Sequence, residues 1–538
     1  MTPPQDNPLI KALQNTALYD HPVERFELIE THISWVLLTG PYAYKIKKPV
    51  DLGFLDFSSL EKRRFYCHEE LRLNRRLAPQ LYLAVLAITG SLSMPVLSGP
   101  GHALEYAVKM VQFDQDQQWD RLLARKALTI EEIGRLARII ATFHQSADCA
   151  PADSDFGAAD AVWQPVTKNF SQLQPLLLQE SDRRLLDPLQ QWFKDMRRQL
   201  RPLFAGRKSN DHIRECHGDL HLANIARYRD QPVVFDCLEF NERLRWIDAI
   251  SDAAFLVMDL DSHGQTALAT RFLNNYLHYS GDYEALPLLP FYLAYRAMVR
   301  AKVAAIRRQQ QDRNSTAGRQ AMAECRHYLN LAVQYTQDKT PALIITHGLS
   351  GSGKTSIAQL LYEKTGAIRI RSDVERKRLY GLPLEGAYEK MDAAGLYSAE
   401  MSDATYGRLS DLTRCAISGG FTVIVDAAFL QRSRRVHFHA LAASLKVPFI
   451  ILHCQAPEAL LRQWIRQRSR SGQDASDANI AVLEQQLNQQ EPLTAAEQQH
   501  MICVETATSI DPDWLVDELK RLTGLHPAEP TTDEPSYL

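Results

Sequence analysis

The sequence predicts a two-domain protein, an α+β half followed by an α/β half built on a parallel sheet. Three observations carry that prediction. At 538 residues the chain is longer than one hydrophobic core usually supports, so two or more domains are expected. In the second half an apolar run, Leu343, Ile344 and Ile345, leads into Gly348-Leu349-Ser350-Gly351-Ser352-Gly353-Lys354-Thr355. That octet fits G-x-x-x-x-G-K-[ST], and helical spacing of apolar residues follows from Ser356. In the first half CHGDLHLANI, residues 216–225, carries His217-x-Asp219-x-x-x-x-Asn224. A short apolar strand, Val233-Val234-Phe235, then runs into Asp236.

Composition narrows the class. The chain is 45% hydrophobic and 23% charged, with 61 basic against 64 acidic residues and a net charge of -3. That balance gives no general attraction to nucleic acid or anionic membranes. The eight cysteines lie far apart with no C-x-x-C pair, a pattern of reduced thiols rather than a zinc site or disulfide framework. The start, MTPPQDNPLIKALQN, lacks the charged-then-apolar order of a signal peptide. No uncharged apolar stretch approaches the ~20 residues that span a bilayer. A cytoplasmic location without membrane partners is expected.

Residues 1–30 read as an extension ahead of a first domain at 31–335. Residues 31–50, THISWVLLTGPYAYKIKKPV, read as two strands joined by a turn at Gly40-Pro41. Residues 58–77 have helical character, with Ser58 or Ser59 as the cap. A strand lysine paired with a helix glutamate positions the α- and β-phosphates in protein-kinase-like folds. Here the lysine is Lys45 or Lys47 and the glutamate Glu70 or Glu69; a solvated strand edge is the competing reading of KIKK. Asp219 has the chemistry to accept the proton of an attacking hydroxyl. Asn224 offers an amide oxygen to Mg2+, Asp236 a second metal-binding carboxylate, and His217 hydrogen bonds that brace the loop.

On these residues, HGDLHLANI followed by VVFDCLEF resembles the aminoglycoside phosphotransferase and choline kinase branch of the protein-kinase-like fold. The resemblance implies that H-G-D-x-H-x-x-N is the catalytic loop and that Asp236 replaces the D-F-G aspartate. It extends to 104–113, similar to the inter-lobe hinge strand, and to 136–144, similar to the first helix of the large lobe. It makes 246–252, WIDAISD, the helix after the metal strand, with Asp248 and Asp252 capping helices or bracing the catalytic loop. The chain departs from the pattern in one place. There is no glycine-rich G-x-G-x-x-G loop, only Thr39-Gly40-Pro41 at a hairpin, which weakens the case for nucleotide binding in this half. Residues 286–312 read as a long amphipathic helix. Its arginines either form a solvated face or place Arg296 or Arg300 on an anionic substrate. Polar residues 333–341 mark the domain boundary.

In the second domain, 340–525, glycines Gly348, Gly351 and Gly353 let the amides of Ser350, Ser352 and Ser356 and their neighbours turn toward phosphate, beside a helix N-terminus. Lys354 has the reach for the β- and γ-phosphates and Thr355 a hydroxyl for Mg2+, so ATP and Mg2+ are the expected cofactors. A short strand at 367–370 leads into RSDVERKR. There Asp373 is either the base for an acceptor hydroxyl or an N-cap, and Arg376, three residues on, holds an anionic acceptor. Residues 385–418 read as a substrate-covering helical region. FTVIV, 421–425, is a buried strand ending at Asp426, where a carboxylate serves Mg2+ or the acceptor. A further strand covers 447–453. The segment 460–470, with arginines including Arg466, is either a lid closing on the γ-phosphate or a plain basic helix. Residues 526–538 are Pro- and acid-rich and expected to be disordered.

GLSGSGKTSIA, RSDVERKR, VIVDAAFLQRSRR and the arginine-rich segment resemble the P-loop NTPase group that includes polynucleotide 5′-kinase, adenylylsulfate kinase and gluconate kinase. A kinase-like half ahead of such a domain resembles a bacterial fusion described as a bifunctional aminoglycoside phosphotransferase and ATP-binding protein. Three functions fit. One is a two-site phosphotransferase acting on hydroxyl acceptors, whether small molecules or a nucleic-acid end. Another is a single C-terminal kinase with a substrate-binding or regulatory N-terminal half, and the third is a non-catalytic ATP-driven switch.

Overall fold

The computed structural model describes residues 7–53, 55–312, 315–384, 393–471 and 480–524. It forms two compact units, residues 1–164 with 201–256, and residues 165–200 with 257–538. Residues 385–392 of the expected helical region, the turn after the arginine-rich helix and the acidic tail lie outside the described residues.

The first unit is organised by a six-stranded antiparallel sheet. Its strands are β1 (Glu27–Glu30), β2 (Ser34–Leu38), β3 (Tyr42–Lys47), β4 (Tyr82–Gly90), β5 (Pro95–Leu97) and β6 (Glu105–Val111), in the order β1-β2-β3-β6-β4-β5. Gly40, at φ +99, makes the β2–β3 turn. Strand alternation sends Tyr44 and Ile46 to one face, where they pack with Leu9, Ile10, Leu13, Leu37 and Ala107. Residues 7–30, set apart by the sequence as an extension, therefore supply both an edge strand and the cover of this face. Lys45 and Lys47 point to the opposite face, with Val108 directly across from Lys45. Helix Leu60–Asn74, capped by the Ser59 hydroxyl, lies over that face through Cys67, which shares a cluster with Tyr82 and Val108. KIKK is thus no solvated edge: Lys45 and Lys47 are both buried.

Below the sheet, two short hairpin-like pairs frame the loop at 216–224. Strand β7 (Ile213–Glu215) pairs antiparallel with β10 (Trp246–Asp248), and β8 (Ile225–Tyr228) with β9 (Gln231–Val234). Arg229 and Asp230 turn the second pair at φ 51 and 60, the two left-handed residues that a tight hairpin needs. WIDAISD is accordingly not one helix. Its first three residues are claimed by the β7 ladder, and the helix starts at Ala249. Helix Ile130–Ser146 begins with a Thr129–Glu132 capping box, and Glu132 also pairs with Arg227.

In the second unit, helices Leu289–Gln309 and Thr316–Tyr335 precede a five-stranded sheet. Arg296 is 5% exposed and so is not part of a solvated face, whereas Arg300 and Arg307 are half-buried and pair with Glu324. The sheet comprises β11 (Leu343–His347), β12 (Ile368–Arg371), β13 (Val423–Asp426), β14 (Phe449–Gln455) and β15 (Met501–Glu505). Their order is β12-β13-β11-β14-β15, and every pair is parallel. Helices Lys354–Thr365 and Pro512–Thr523 bury Leu361, Leu515 and Leu519 against Ile344, Ile450 and Ile502 on one face. The β12 edge is occupied as well. Asn274, on helix Thr266–Ser280, donates to the Ala367 carbonyl (3.0 Å) and accepts from the Arg369 amide (2.7 Å), standing in for a neighbouring strand.

Candidate active sites

In the first unit, sequence-predicted residues from three elements meet. Lys45 Nζ lies 2.8 Å from Glu70 Oε1 and 2.6 Å from Asp236 Oδ1. Lys47 Nζ lies 2.6 Å from Glu70 Oε2 and also bonds Glu239. The choice between two lysines therefore has no single answer, because Glu70 takes both. Glu69 takes neither and pairs with Arg72 and Arg245. Burial works to raise the Glu70 pKa, but the two ammonium groups of Lys45 and Lys47 more than offset it and hold the carboxyl below the usual carboxylate range. Burial likewise works to lower the Lys45 pKa, and Asp236 and Glu70 reverse it, so Lys45 stays charged.

The loop at 216–224 is held from behind. Asp252 accepts the backbone amides of His217 and Gly218, both at 2.9 Å, and its Oδ2 lies 3.1 Å from His144 Nε2. His217 Nε2 donates to the Phe235 carbonyl (2.9 Å), so its Nδ1 is free to accept the Asp219 amide (3.3 Å). Burial pushes the His217 pKa down and keeps this ring neutral, the tautomer the two bonds require. Gly218 sits at φ +87, where a side chain would meet the Leu244 carbonyl at 2.8 Å. Asn224 Nδ2 donates to the Asp219 carbonyl (2.9 Å) and to Asp219 Oδ2 (3.1 Å), and His221 Nε2 lies 3.3 Å from the same oxygen. Asp219 is thus oriented by two neighbours while its side chain remains 38% exposed. Asp236 is left-handed at φ +61, a costly conformation for a non-glycine residue, and its amide donates to the Tyr82 hydroxyl (3.2 Å). Asp248 does not join the loop; it pairs with Arg207 at 2.6 Å. The first hairpin, Thr31-His32-Ile33, contains no glycine and is closed by Thr31 and Ser34 (2.9 Å).

The phosphate loop of the second unit connects β11 to helix Lys354–Thr365, with Gly353 as its N-cap at φ +76. Gly348, at φ +143, lies so close to the Cys454 carbonyl that no side chain fits. Gly348→Ala should therefore disrupt the loop, lowering nucleotide affinity by at least tenfold in a calorimetric titration. Lys354 Nζ donates to the carbonyls of Gly348 (3.0 Å) and Leu349 (2.7 Å), which places its ammonium over the loop. Thr355 Oγ1 donates to Asp426 Oδ2 at 2.9 Å, so the loop hydroxyl and the β13 carboxylate are adjacent. Ser352 is buried, Ser356 is exposed, and the Ser350 amide donates to Gln486 Oε1 (2.7 Å) from helix Ile480–Gln489.

Arg371, not Asp373, is the N-cap of helix Ser372–Tyr380; Asp373 lies one position into its first turn, so the capping role is excluded. Arg376 is buried, donates to the Leu396 carbonyl and Ser402 Oγ (both 3.3 Å), and stacks its guanidinium 5.2 Å from the Tyr397 ring centre. Arg466 is exposed on helix Glu458–Ser471, whose Arg462 pairs with Glu458 and Glu484. Packing of this helix on the loop comes instead from Leu461 and Ile465 against Leu349.

Sequence reasoning missed Glu239, Tyr82, Gln486 and a histidine pair. His347 and His453 face each other on neighbouring strands, Nδ1 to Nδ1 at 2.8 Å. Burial, then His453, Arg435 and Lys354, push the His347 pKa down to about 3. Its folded pKa lies below its unfolded value near 6.5, so this contribution is complete above pH 6.5 and is lost as pH falls from there toward 3. Denaturant titrations between pH 7.5 and 5 should show unfolding free energy dropping by up to about 1.4 kcal/mol per pH unit from this group. A His347→Gln variant should show a shallower drop.

Residues 61–289 match the phosphotransferase enzyme family and residues 343–493 the AAA domain family. The uncharacterized protein Rv2004c of Mycobacterium tuberculosis is 33% identical over 470 residues, covering 86% of this chain and 91% of that one. Mycobacterium bovis Mb2027c matches with the same identity and coverage. Among solved structures, the amicoumacin kinase hAmiN in complex with AMP-PNP, Ca2+ and Ami is 13% identical, with a TM-score of 0.38, covering 61% of this chain and 92% of that chain. The adenylylsulfate (APS) kinase CysC of M. tuberculosis is 19% identical, with a TM-score of 0.24, covering 34% and 98%. No described helix is long and apolar enough to cross a membrane.

Proposed function

Since the chain belongs to the family of the mycobacterial protein Rv2004c and joins a phosphotransferase-type kinase domain to a P-loop kinase domain, we propose that it is a two-site phosphotransferase. Each half moves the γ-phosphoryl group of ATP onto a hydroxyl. The observation that carries this reading is that each half brings its own set of charged groups together. One has Lys45, Glu70 and Asp236, with Asp219 held by Asn224; the other has Lys354 over the glycine loop and Thr355 on Asp426.

In the first half Lys45 orients the α- and β-phosphates while Glu70 orients Lys45. Asp219 accepts the proton of the acceptor hydroxyl as the hydroxyl oxygen bonds to the γ-phosphorus and the γ-phosphorus–oxygen bond to the departing ADP breaks, and Asn224 and His221 fix the carboxylate that does so. In the second half the loop amides and Lys354 hold the β- and γ-phosphates, Asp373 takes the acceptor proton, and Arg376 orients an anionic acceptor. The oxygen donors of Asn224 with Asp236, and of Thr355 with Asp426, suit Mg2+, which supplies neutralisation of phosphate charge when bound.

Label transfer from γ-labelled ATP into a mixed pool of metabolites and oligonucleotides tests the proposal. The unaltered protein is run beside Asp219→Asn and Lys354→Ala. Loss of a different labelled product in each variant is the expected result. The glycine-free hairpin at Thr31-His32-Ile33 favours a second reading, in which only the C-terminal half is a kinase. Under that reading Lys354→Ala removes all label and Asp219→Asn removes none.

A further inference from the structure

We propose that Lys47 is a positioning residue that keeps Glu70 engaged while Lys45 and Asp236 turn to the nucleotide, so that the first site is assembled before substrate arrives. This rests on reading the N-terminal half as a kinase. The carrying observation is an alternating run of five charges, Asp236–Lys45–Glu70–Lys47–Glu239, contributed by three elements. Both lysines come from β3 and both terminal carboxylates from the segment after β9. Glu70, from helix Leu60–Asn74, links the two lysines. Its two oxygens are divided, Oε1 to Lys45 at 2.8 Å and Oε2 to Lys47 at 2.6 Å.

The two lysines are not equivalent. Lys45 contacts Asp236, whose side chain is 44% exposed, and so lies at the open end of the run. Lys47 is 1% exposed, sits 4.8 Å from the Phe57 ring centre and contacts only buried carboxylates in this run. Phosphate at the open end competes with Glu70 for Lys45. A buried carboxylate that loses its only cation is strongly destabilised, and a helix carrying one would move outward. Lys47 removes that penalty, because Glu70 retains a cation in either state. Glu239 completes the arrangement by leaving Lys47 balanced when Glu70 shares its charge. The same segment seats on the catalytic loop, since Gly218 packs against Leu238 and the Leu244 carbonyl. Helix, lysine strand and catalytic loop are thereby fixed to one another through the buried Glu70, Lys47 and Glu239 and the segment that carries Glu239.

The test uses the full chain carrying Gly348→Ala together with Lys354→Ala, so that both the loop's close approach to the Cys454 carbonyl and its ammonium are lost and binding at the second site falls away. MgATP and adenosine are each titrated calorimetrically. In this parent, MgATP binding is required by the kinase reading; its absence overturns that reading itself. If the parent binds, Lys47→Met combined with Glu239→Gln should weaken MgATP at least tenfold and leave adenosine within twofold, with Lys47→Arg restoring most of the loss. Equal loss of both ligands, or no loss of either, overturns the positioning role. A second measurement needs no substitution in the charge run. Hydrogen exchange of helix Leu60–Asn74 in the parent should be equally slow with and without MgATP. A helix that becomes protected only on binding overturns the proposal.

Discussion

Asp219→Asn is expected to slow phosphotransfer at the first site by roughly 10^2- to 10^4-fold, the usual contribution of a positioned base. The geometry explains both the loss and what survives it. Asp219 Oδ2 is fixed by the Asn224 amide at 3.1 Å and by His221 at 3.3 Å, which aims the carboxylate without enclosing it. An amide fills the same space and can still accept from Asn224, so the loop keeps its shape. What it cannot do is take a proton. Because that role is played only as the hydroxyl attacks, MgATP affinity should be preserved while turnover collapses. Single-turnover rates alongside an equilibrium titration read the two effects separately. A variant that loses stability and nucleotide affinity but keeps its rate per bound nucleotide would make Asp219 a structural residue.

The charged motifs were legible in the sequence wherever chemistry imposes a fixed spacing on one short segment. The phosphate loop and the catalytic loop are of this kind. Each is a local backbone problem, solved by glycines at φ +143 and +87 and by residues within ten positions of one another. What pairs across the fold was less legible. Lys45 and Lys47 are both on the helix face because strand alternation puts residues i and i+2 together. The sequence therefore left open which of them meets Glu70, and only the packed helix shows that both do. Glu239 lies inside the quoted segment VVFDCLEF, but nothing in that segment alone gives it a partner. No motif announced the His347–His453 pair, which depends on the register between β11 and β14. The segment at 246–252 is part strand and part helix for a related reason: its first three residues pair with a strand some thirty positions earlier, which local sequence does not show. Likewise, two arginines of the helix expected to form a solvated face, Arg300 and Arg307, are half-buried and paired because a second helix supplies Glu324.

Lys354→Ala should weaken transition-state stabilisation at the second site by about 3–4 kcal/mol, a fall of roughly 10^2- to 10^3-fold in kcat/KM. Lys354 donates to the carbonyls of Gly348 and Leu349, at 3.0 and 2.7 Å, so its ammonium lies where the loop curls around phosphate. Those bonds hold the lysine to the loop, and the loop's own shape comes from elsewhere. It is set by the glycines, by the close approach of Gly348 to Cys454, and by Leu349 in the cluster with Leu461 and Ile465. Truncation should accordingly leave unfolding free energy within about 0.5 kcal/mol of the parent, as for other sites outside the core. The first site has its own lysines and carboxylates, so a product that depends on Asp219 should be formed at an unchanged rate. That separation gives the variant its force. If Lys354→Ala abolishes only the products that survive Asp219→Asn, the two halves act independently on different acceptors. If it abolishes both, nucleotide at the second site governs the first, and the chain is one coupled enzyme rather than two joined ones.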